Sequence, residues 1–192
     1  MLWQIFGGIM NYHEKGLIHG NIHGGNILVE VKQDLFENID IPEIGSYSID
    51  RKNSNEIYGD LPYIAPEVLQ GKPLTEAADI YSFGMIMWTI SAGVLPWCNR
   101  THDSQLFNEI TSGEIRTPKV YTHLMTRCWD DDPSSRPNTS ELYGELETWV
   151  SAIDDADPSE LLEELSNLER SKFDRQTIHS EAFYTSRFLK FR

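Results

Sequence analysis

Cysteine and basic side chains are scarce in this chain. Cys98 and Cys128 are its only cysteines, too few to hold together a secreted scaffold built on disulfides. This scarcity favours a reducing, cytoplasmic compartment. The 192 residues carry 16 Lys and Arg against 30 Asp and Glu, a formal net charge of −14. Because this excess of negative charge repels nucleic acid and anionic membranes, we expect neither as a partner.

Targeting signals and long charge-free runs are also scarce. The first ten residues contain no Lys or Arg, so the positive region that starts a signal peptide is lacking. One run, residues 80–99, has no charge and is long enough to cross a membrane. Because it contains Ser, Thr, Asn, two glycines and a proline, a helix buried in a soluble core is the better interpretation. Apolar residues make up 40% of the chain, which allows such a core and excludes wholesale disorder.

Hydrophobic spacing predicts a helix at the start of the chain and a hairpin after it. The apolar residues of segment 2–15 recur at helical intervals, and Gly16 ends the pattern. Two β-rich runs, 26–31 and 39–41, predict a hairpin with a long turn between them. Ser, Asn, Asp, Gly and Pro dominate residues 45–73, which predicts a long loop. Loops of that length inside a compact domain are usually functional.

The rest of the chain is predicted to be helical to its end. Thr75 followed by Glu76 starts the buried helix, and Gly93 ends it. Asp157 and Pro158 are the start signal of a later helix. Between them, helices are predicted over residues 102–111, 120–129 and 140–153.

Five groups of short motifs occur in one order along the chain. They are HGNIHGGN (19–26), EIG (43–45), APE (65–67), DIYSFG (79–84), and CW (128–129) with RP (136–137). Together they resemble the C-terminal lobe of a protein kinase: catalytic loop, metal-binding turn, end of the activation segment, central helix and late arginine. The resemblance covers roughly residues 1–153. It implies a mainly α fold, a helical bundle with a small β-hairpin at the catalytic loop.

The resemblance assigns chemistry to positions where this sequence departs from the family pattern. Asn21 stands in the place of the catalytic Asp, and an amide has no basic lone pair to take the proton of a substrate hydroxyl. Gly20 replaces the Arg that docks a phosphorylated activation loop. His23 lies where many serine/threonine kinases carry a Lys, and a neutral imidazole does not supply a fixed positive charge. The resemblance therefore implies impaired catalysis.

ATP and magnesium are cofactors that the resemblance alone implies. Asn26 matches the metal-binding Asn of the family, and Glu43 replaces the Asp of its metal-binding turn, which predicts weak Mg²⁺ binding at best. Nothing before His19 resembles a glycine-rich loop or an ATP-binding lysine. We therefore expect the N-terminal lobe to be absent and this chain alone not to bind ATP tightly. His102 and His123 have no partner at ligand spacing and are predicted to lie at the surface.

Residues that support the lobe match the family pattern better. The resemblance implies that Asp79 fixes the backbone of the catalytic loop, which begins at His19. It also implies a buried ion pair between Glu67 and Arg136. Together with Gly45, which closes the metal-binding turn, we interpret these residues as structural.

Residues 154–192 lie beyond the resemblance and are expected to form an acidic helix followed by a basic, aromatic tail. Between Ser151 and Glu169 there are seven acidic residues and no basic one. Between Arg170 and Arg192 there are six basic residues and two acidic ones. Such a tail can fold back on the lobe or recruit a partner, and both alternatives stay open.

The preferred hypothesis is a truncated, catalytically impaired kinase-like protein that acts by binding other proteins. Two alternatives remain: a kinase with weak phosphotransfer to Ser/Thr or Tyr, and a non-functional shortened product of a longer kinase. A lobe without its counterpart should expose apolar side chains around Ile22, Ile27 and Ile44. We therefore expect a protein partner, or the missing N-terminal lobe, at this upper surface.

Overall fold

A computed structural model of the chain describes residues 2–32, 35–41, 57–93, 95–111, 122–155 and 178–189. Within these ranges the fold is mainly helical and carries two small antiparallel sheets of two strands each. The helices are α1 (Leu2–Glu14), α2 (Pro66–Leu69), α3 (Glu76–Ala92), α4 (Ser104–Thr111), α5 (Thr122–Cys128) and α6 (Thr139–Asp155). The strands are β1 (Leu28–Lys32), β2 (Leu35–Asp40), β3 (Ile57–Gly59) and β4 (Arg187–Leu189).

Helix α3 lies at the centre of the core, as its charge-free run from residue 80 onward predicts. Tyr81 and Phe83 are 0% exposed and Met85 is 2% exposed. A helix that is apolar on all sides is stable only when other elements cover it, and α1 and α5 pack against this one. Gly93 ends the helix in the left-handed conformation, with φ 68°. None of the described helices is long and apolar enough to cross a membrane.

Helix α1 confirms the amphipathic pattern predicted for the start of the chain. Ile5, Phe6 and Ile9 are each at most 1% exposed, and the helix packs between α3 and α6. The ring centroids of Phe6 and Phe83 lie 4.8 Å apart. Burial of this apolar stripe fixes α1 against the core, directly before the catalytic loop.

The predicted hairpin is present, and its second strand begins earlier than the sequence suggests. Strand β1 pairs with β2 from Leu28 opposite Asp40 to Lys32 opposite Leu35. Residues 35–38, which were predicted to lie in the turn, belong instead to β2. Their backbone N–H and C=O groups are satisfied by the partner strand, whatever the polarity of their side chains.

The prediction that the chain stays helical to its end is wrong. Strand β4 pairs antiparallel with β3, with Ile57 opposite Leu189 and Gly59 opposite Arg187. Three-residue strands are too short to show a hydrophobic period, so their sequences carry no signal of this pairing. Strand β3 also interrupts the segment that was predicted to be one long loop.

The three helices predicted between Gly93 and Asp157 are confirmed with shifted boundaries. Helix α4 begins at Ser104 rather than at residue 102, and α5 spans Thr122–Cys128, with residues 120 and 121 of its prediction outside the described residues. Helix α6 extends one residue earlier and two residues later than residues 140–153. The helix predicted from Asp157 lies outside the described residues.

Gly84 marks the closest approach between α3 and the end of α5. An added Cβ there would lie inside contact distance of the Trp129 indole nitrogen and 2.8 Å from the Cys128 Cβ. We expect Gly84→Ala to lower the free energy of unfolding by about 1–3 kcal/mol, although Ala is the better helix former. Chemical denaturation measures this effect. Gly144→Ala in α6 is the matched control, because its Cβ would meet nothing within 4 Å, and equal losses in both variants would contradict the prediction.

Candidate functional site

The carboxylate of Asp79 in α3 holds the start of the catalytic loop. Its Oδ2 accepts a hydrogen bond from the His19 backbone N–H and its Oδ1 accepts one from the Gly20 N–H, both at 2.8 Å. His13 of α1 adds a contact, with Nε2 3.0 Å from Asp79 Oδ2. Asp79 is 0% exposed, so these bonds replace the water that burial removes. The loop is thereby tied to two core helices.

The loop then folds so that its three polar candidates lie together. Gly24–Asn26 form a short 3-10 turn, and His23 caps it by accepting the Gly25 N–H on Nδ1 at 3.2 Å. The Asn26 side-chain amide donates to the Asn21 carbonyl oxygen at 2.8 Å. Asn21, His23 and Asn26 therefore occupy one side of a small, internally bonded loop.

A hydroxyl from the far end of the chain reaches this loop. The Ser186 Oγ donates to the Asn21 Oδ1 at 3.0 Å and lies 2.8 Å from the His23 Nε2. Because the Gly25 N–H occupies Nδ1, Nε2 carries the ring proton of neutral His23 and donates it to the Ser186 hydroxyl. The Asn21 side chain thus acts as an acceptor for a serine hydroxyl.

His23 is neutral at physiological pH. Burial, and then the neighbouring His19, lower the pKa of His23 from 6.5 to about 4. A protonated ring would also lose its bond from the Gly25 N–H, since both ring nitrogens would then be donors. His23 therefore contributes a hydrogen bond but no charge to the loop.

Asp60 is a buried carboxyl group whose chemical importance the sequence pattern did not reveal. It is 2% exposed, and neither of its oxygens has a hydrogen-bond partner among the described residues. Burial raises the pKa of Asp60 from 3.8 to about 7, and the positive charge of Arg187 opposes this shift. Asp60 and Asn21 line the same small cavity, so a proton-binding group lies near the catalytic loop.

Glu67 and Arg136 form a bidentate ion pair beneath the site. The two terminal nitrogens of Arg136 donate to the two carboxylate oxygens of Glu67 at 2.7 and 2.8 Å, and the side chains are 0% and 4% exposed. The guanidinium group also donates to the carbonyl oxygens of Ala77 and Asp130, each at 2.9 Å. These bonds link α2 to α3 and to the turn before α6.

The described residues do not form a magnesium site by themselves. Asn26 uses its amide nitrogen on the Asn21 carbonyl, which leaves one neutral side-chain oxygen to face a cation. Mg²⁺ in proteins is usually held by one or two carboxylates together with waters and substrate phosphates, and Asn26 supplies no carboxylate. Glu43 and Gly45 lie outside the described residues. Within the described ranges, no three His, Cys, Asp or Glu side chains form a group that could hold a metal ion.

The apolar surface predicted around the catalytic loop differs from the structure. Ile22 is 1% exposed and belongs to the main core, so its predicted exposure is wrong. It is covered because the Asp79 bonds draw the loop onto α3. Ile27 is partly buried against the same core, and Ile44 lies outside the described residues. Leu28 and Val29 of β1 are the exposed neighbours, at 55% and 40%.

His102 is buried, which corrects its predicted surface position, whereas His123 is exposed as predicted. His102 is covered by the end of the chain: its ring lies 4.8 Å from the Tyr184 ring, and its backbone N–H donates to the Glu181 carbonyl at 3.1 Å.

Ser186, like this contact of His102, was not identified from the sequence. No local motif marks a residue whose partner lies more than 160 positions away.

A family model of the protein kinase domain matches residues 1–146 of the chain. The chain belongs to the protein kinase family. The kinase match contains the catalytic loop, α3 and Arg136, and it ends within α6. Strand β4 and Ser186 therefore lie outside the part of the chain that matches the kinase domain.

Kinases from three organisms illustrate the similarity. The serine/threonine/tyrosine-protein kinase HT1 of Arabidopsis thaliana is 25% identical over 158 residues, which cover 79% of this chain and 40% of that protein. The dual specificity protein kinase shkD of Dictyostelium discoideum is 30% identical over 141 residues, covering 68% and 18%. The serine/threonine-protein kinase mos of Patiria pectinifera is 26% identical over 152 residues, covering 70% and 42%. The chain spans less than half the length of these relatives.

Proposed function

We propose that this chain is a catalytically impaired kinase-like protein that acts by binding protein segments at its catalytic loop. The observation that carries the proposal is the contact between the Asn21 Oδ1 and the Ser186 hydroxyl. A neutral amide oxygen accepts a hydrogen bond and orients the hydroxyl. It does not take the proton away, because the amide is not basic in water.

His23, the other side chain in contact with the Ser186 hydroxyl, does not replace the missing base. Loss of a positioned general base costs roughly 10²–10⁴-fold in rate. His23 has the low pKa of a weak base, and its Nε2 donates to the hydroxyl. Both side chains around Ser186 are therefore arranged to bind a hydroxyl group rather than to deprotonate it.

A second candidate function is weak phosphotransfer to Ser, Thr or Tyr, using Asn21, Asn26 and Glu43. The position of the Ser186 hydroxyl favours it, because a hydroxyl in hydrogen-bond contact with Asn21 lies where the resemblance places the acceptor of a phosphoryl group. The names of the relatives include serine/threonine, tyrosine and dual specificity kinases, so they do not favour one acceptor.

Adding ATP and Mg²⁺ to the full chain is expected to change its melting temperature by less than about 1 °C, because a ligand that does not bind the folded state does not stabilise it. Differential scanning fluorimetry measures this change. Asn26→Ala is the control variant. A shift of several degrees that Asn26→Ala abolishes would contradict the proposal and identify a nucleotide–metal site.

The same proteins separate the two candidate functions in a phosphotransfer assay with labelled ATP. We expect no transfer above background by the wild-type chain. Transfer by the wild type that is lost in Asn26→Ala and in Glu43→Ala would establish the second candidate. A gain of about 10²-fold or more in Asn21→Asp over the wild type would show that the base is the missing component.

A further inference from the structure

We propose that residues 178–189, here called the C-terminal segment, are a tethered peptide ligand of the catalytic loop. The segment places the Ser186 hydroxyl on Asn21, so a partner of this site would be an extended, hydroxyl-bearing peptide that competes with it. This inference rests on the proposed function, since it names the kind of protein segment that the site binds and the part of the chain that regulates it.

The first support is the way in which the segment lies across the site. Strand β4 lies beside the short strand β3 and pairs with it antiparallel, with Tyr58 opposite Phe188. Pairing of this kind holds a peptide through its backbone, independently of its sequence, and pockets for alternate side chains then give specificity. The site thus accepts an extended chain, and Ser186 directly precedes the strand.

The second support is a side-chain pocket that Leu189 fills. Leu189 is 5% exposed and packs in a cluster with Leu61, Leu69, Leu106 and Ile110, which are each at most 4% exposed. Phe188, its neighbour in the same strand, is 55% exposed and makes an edge contact with the Tyr58 ring. The catalytic loop, β3 and the Leu189 pocket together form a groove. This groove selects a peptide that has a serine and, three residues later, an apolar side chain.

The third support is a set of bonds that fixes the segment before Ser186. The His179 N–H donates to the Cys98 carbonyl at 2.7 Å, and the Tyr184 hydroxyl donates to the Pro96 carbonyl at 2.7 Å. The His102 N–H donates to the Glu181 carbonyl at 3.1 Å. The segment is thus held at both ends, by the loop between α3 and α4 on one side and by β3 on the other.

Charge also favours this occupant. Arg187 lies over the Phe183 ring at 4.2 Å from the guanidinium carbon to the ring centroid, and its charge acts on the buried Asp60 carboxyl group. Within the C-terminal segment the charges of Arg187 and Glu181 balance, but residues 170–192 as a whole carry six basic and two acidic residues, in a chain whose net charge is −14. This basic end of the chain is attracted to the acidic remainder before any specific contact forms.

The tether explains how a short peptide can occupy the groove. Because the segment belongs to the same chain as the site, its binding is intramolecular, and intramolecular ligands reach effective concentrations on the order of millimolar. A free peptide or a partner protein of equal affinity must be present above that concentration to displace the segment. A partner must therefore outcompete the C-terminal segment before it can bind the catalytic loop.

Two substitutions in β4 of the full chain test the proposal. Leu189→Asp places a charge in the apolar pocket and should release the segment, whereas Phe188→Asp changes the exposed neighbour and should leave it bound. Hydrogen–deuterium exchange reports the release as faster exchange of the β3 and β4 amides. The amides of α3 serve as the internal standard, because their protection must stay unchanged if the lobe remains folded.

A fluorescent peptide with the sequence of residues 178–192 then measures access to the groove. We expect it to bind Leu189→Asp at least about tenfold more tightly than the wild type or Phe188→Asp, because the tethered competitor is gone. A peptide carrying Ser186→Ala should bind Leu189→Asp more weakly than the parent peptide. Equal binding to all three proteins, or unchanged β3 exchange in Leu189→Asp, would overturn the proposal. A wild-type dimer that exchanges segments between copies would overturn the tethered arrangement.

Failure of this inference and failure of the proposed function give different results. Phosphorylation of Ser186 by the wild-type chain after incubation with ATP and Mg²⁺, detected by mass spectrometry, would overturn catalytic impairment and leave the tethered peptide in place. Unchanged peptide access would overturn the tethered peptide and leave the impaired catalytic loop in place.

Discussion

Replacing Arg136 with methionine is expected to lower the free energy of unfolding by about 3–5 kcal/mol. The substitution removes a side chain that is 0% exposed and leaves the Glu67 carboxylate buried without its counter-charge. It also leaves the carbonyl oxygens of Ala77 and Asp130 without a donor. The loss is large because a buried charge cannot regain its bonds from water. Denaturant unfolding monitored by tryptophan fluorescence measures it.

Two control proteins separate the effect of burying the ion pair from the effect of replacing an arginine with methionine. Arg127→Met removes an Arg–Glu pair with Glu145 whose side chains are 34% and 37% exposed, and it should cost less than about 1 kcal/mol. The double variant Glu67→Gln/Arg136→Met removes the uncompensated charge and should recover part of the loss. Equal losses in Arg136→Met and Arg127→Met would show that burial of the Glu67 pair is energetically unimportant.

Replacing Asp60 with asparagine is expected to change the pH dependence of stability. Burial raises the pKa of Asp60 to about 7, so the folded state holds this proton more tightly than the unfolded state. The corresponding stabilisation is complete below about pH 4 and is lost as the pH rises through about 7. An asparagine does not titrate. The difference in unfolding free energy between Asp60→Asn and the wild type should therefore shift in favour of the variant by up to about 4 kcal/mol between pH 4 and pH 8.

The comparison between the two proteins isolates Asp60 from the other titrating group of the site. His23 has a pKa lowered to about 4, so it destabilises the fold as the pH falls from about 6.5, opposite in sign to Asp60. This contribution is common to both proteins and cancels in their difference. Denaturation curves at several pH values give that difference. A difference that stays constant between pH 4 and pH 8 would contradict a raised pKa at Asp60.

Much of the scaffold could be predicted because its signals are local. The apolar stripe of α1, the charge-free run of α3 and the glycine that ends α3 each act within a few residues, and the structure confirms them. The family membership also follows from short motifs in a fixed order, and the match over residues 1–146 confirms it. The predicted element boundaries were less accurate. In β2, for example, pairing with β1 decides that the residues form a strand, although several of their side chains are polar.

The candidate site could be predicted only in part. The motif order placed Asn21, His23 and Asn26 in one loop, but it did not show that a serine hydroxyl bridges Asn21 and His23. Nor did it show that Asp60 is desolvated, because burial depends on which elements cover a residue. Exposure of Ile22 was predicted wrongly for the same reason: the backbone bonds to Asp79 hold the loop against the core.

The sequence by itself determined the family, the order of the predicted helices and the presence of an amide, Asn21, in the loop after α1. These depend on residue identity and on periods of a few residues. The tertiary structure alone decided where the end of the chain lies. Ser186 and Leu189 reach their sites through contacts with residues far away in sequence, and the free energy of such contacts arises only when the folded lobe has already formed the groove that receives them.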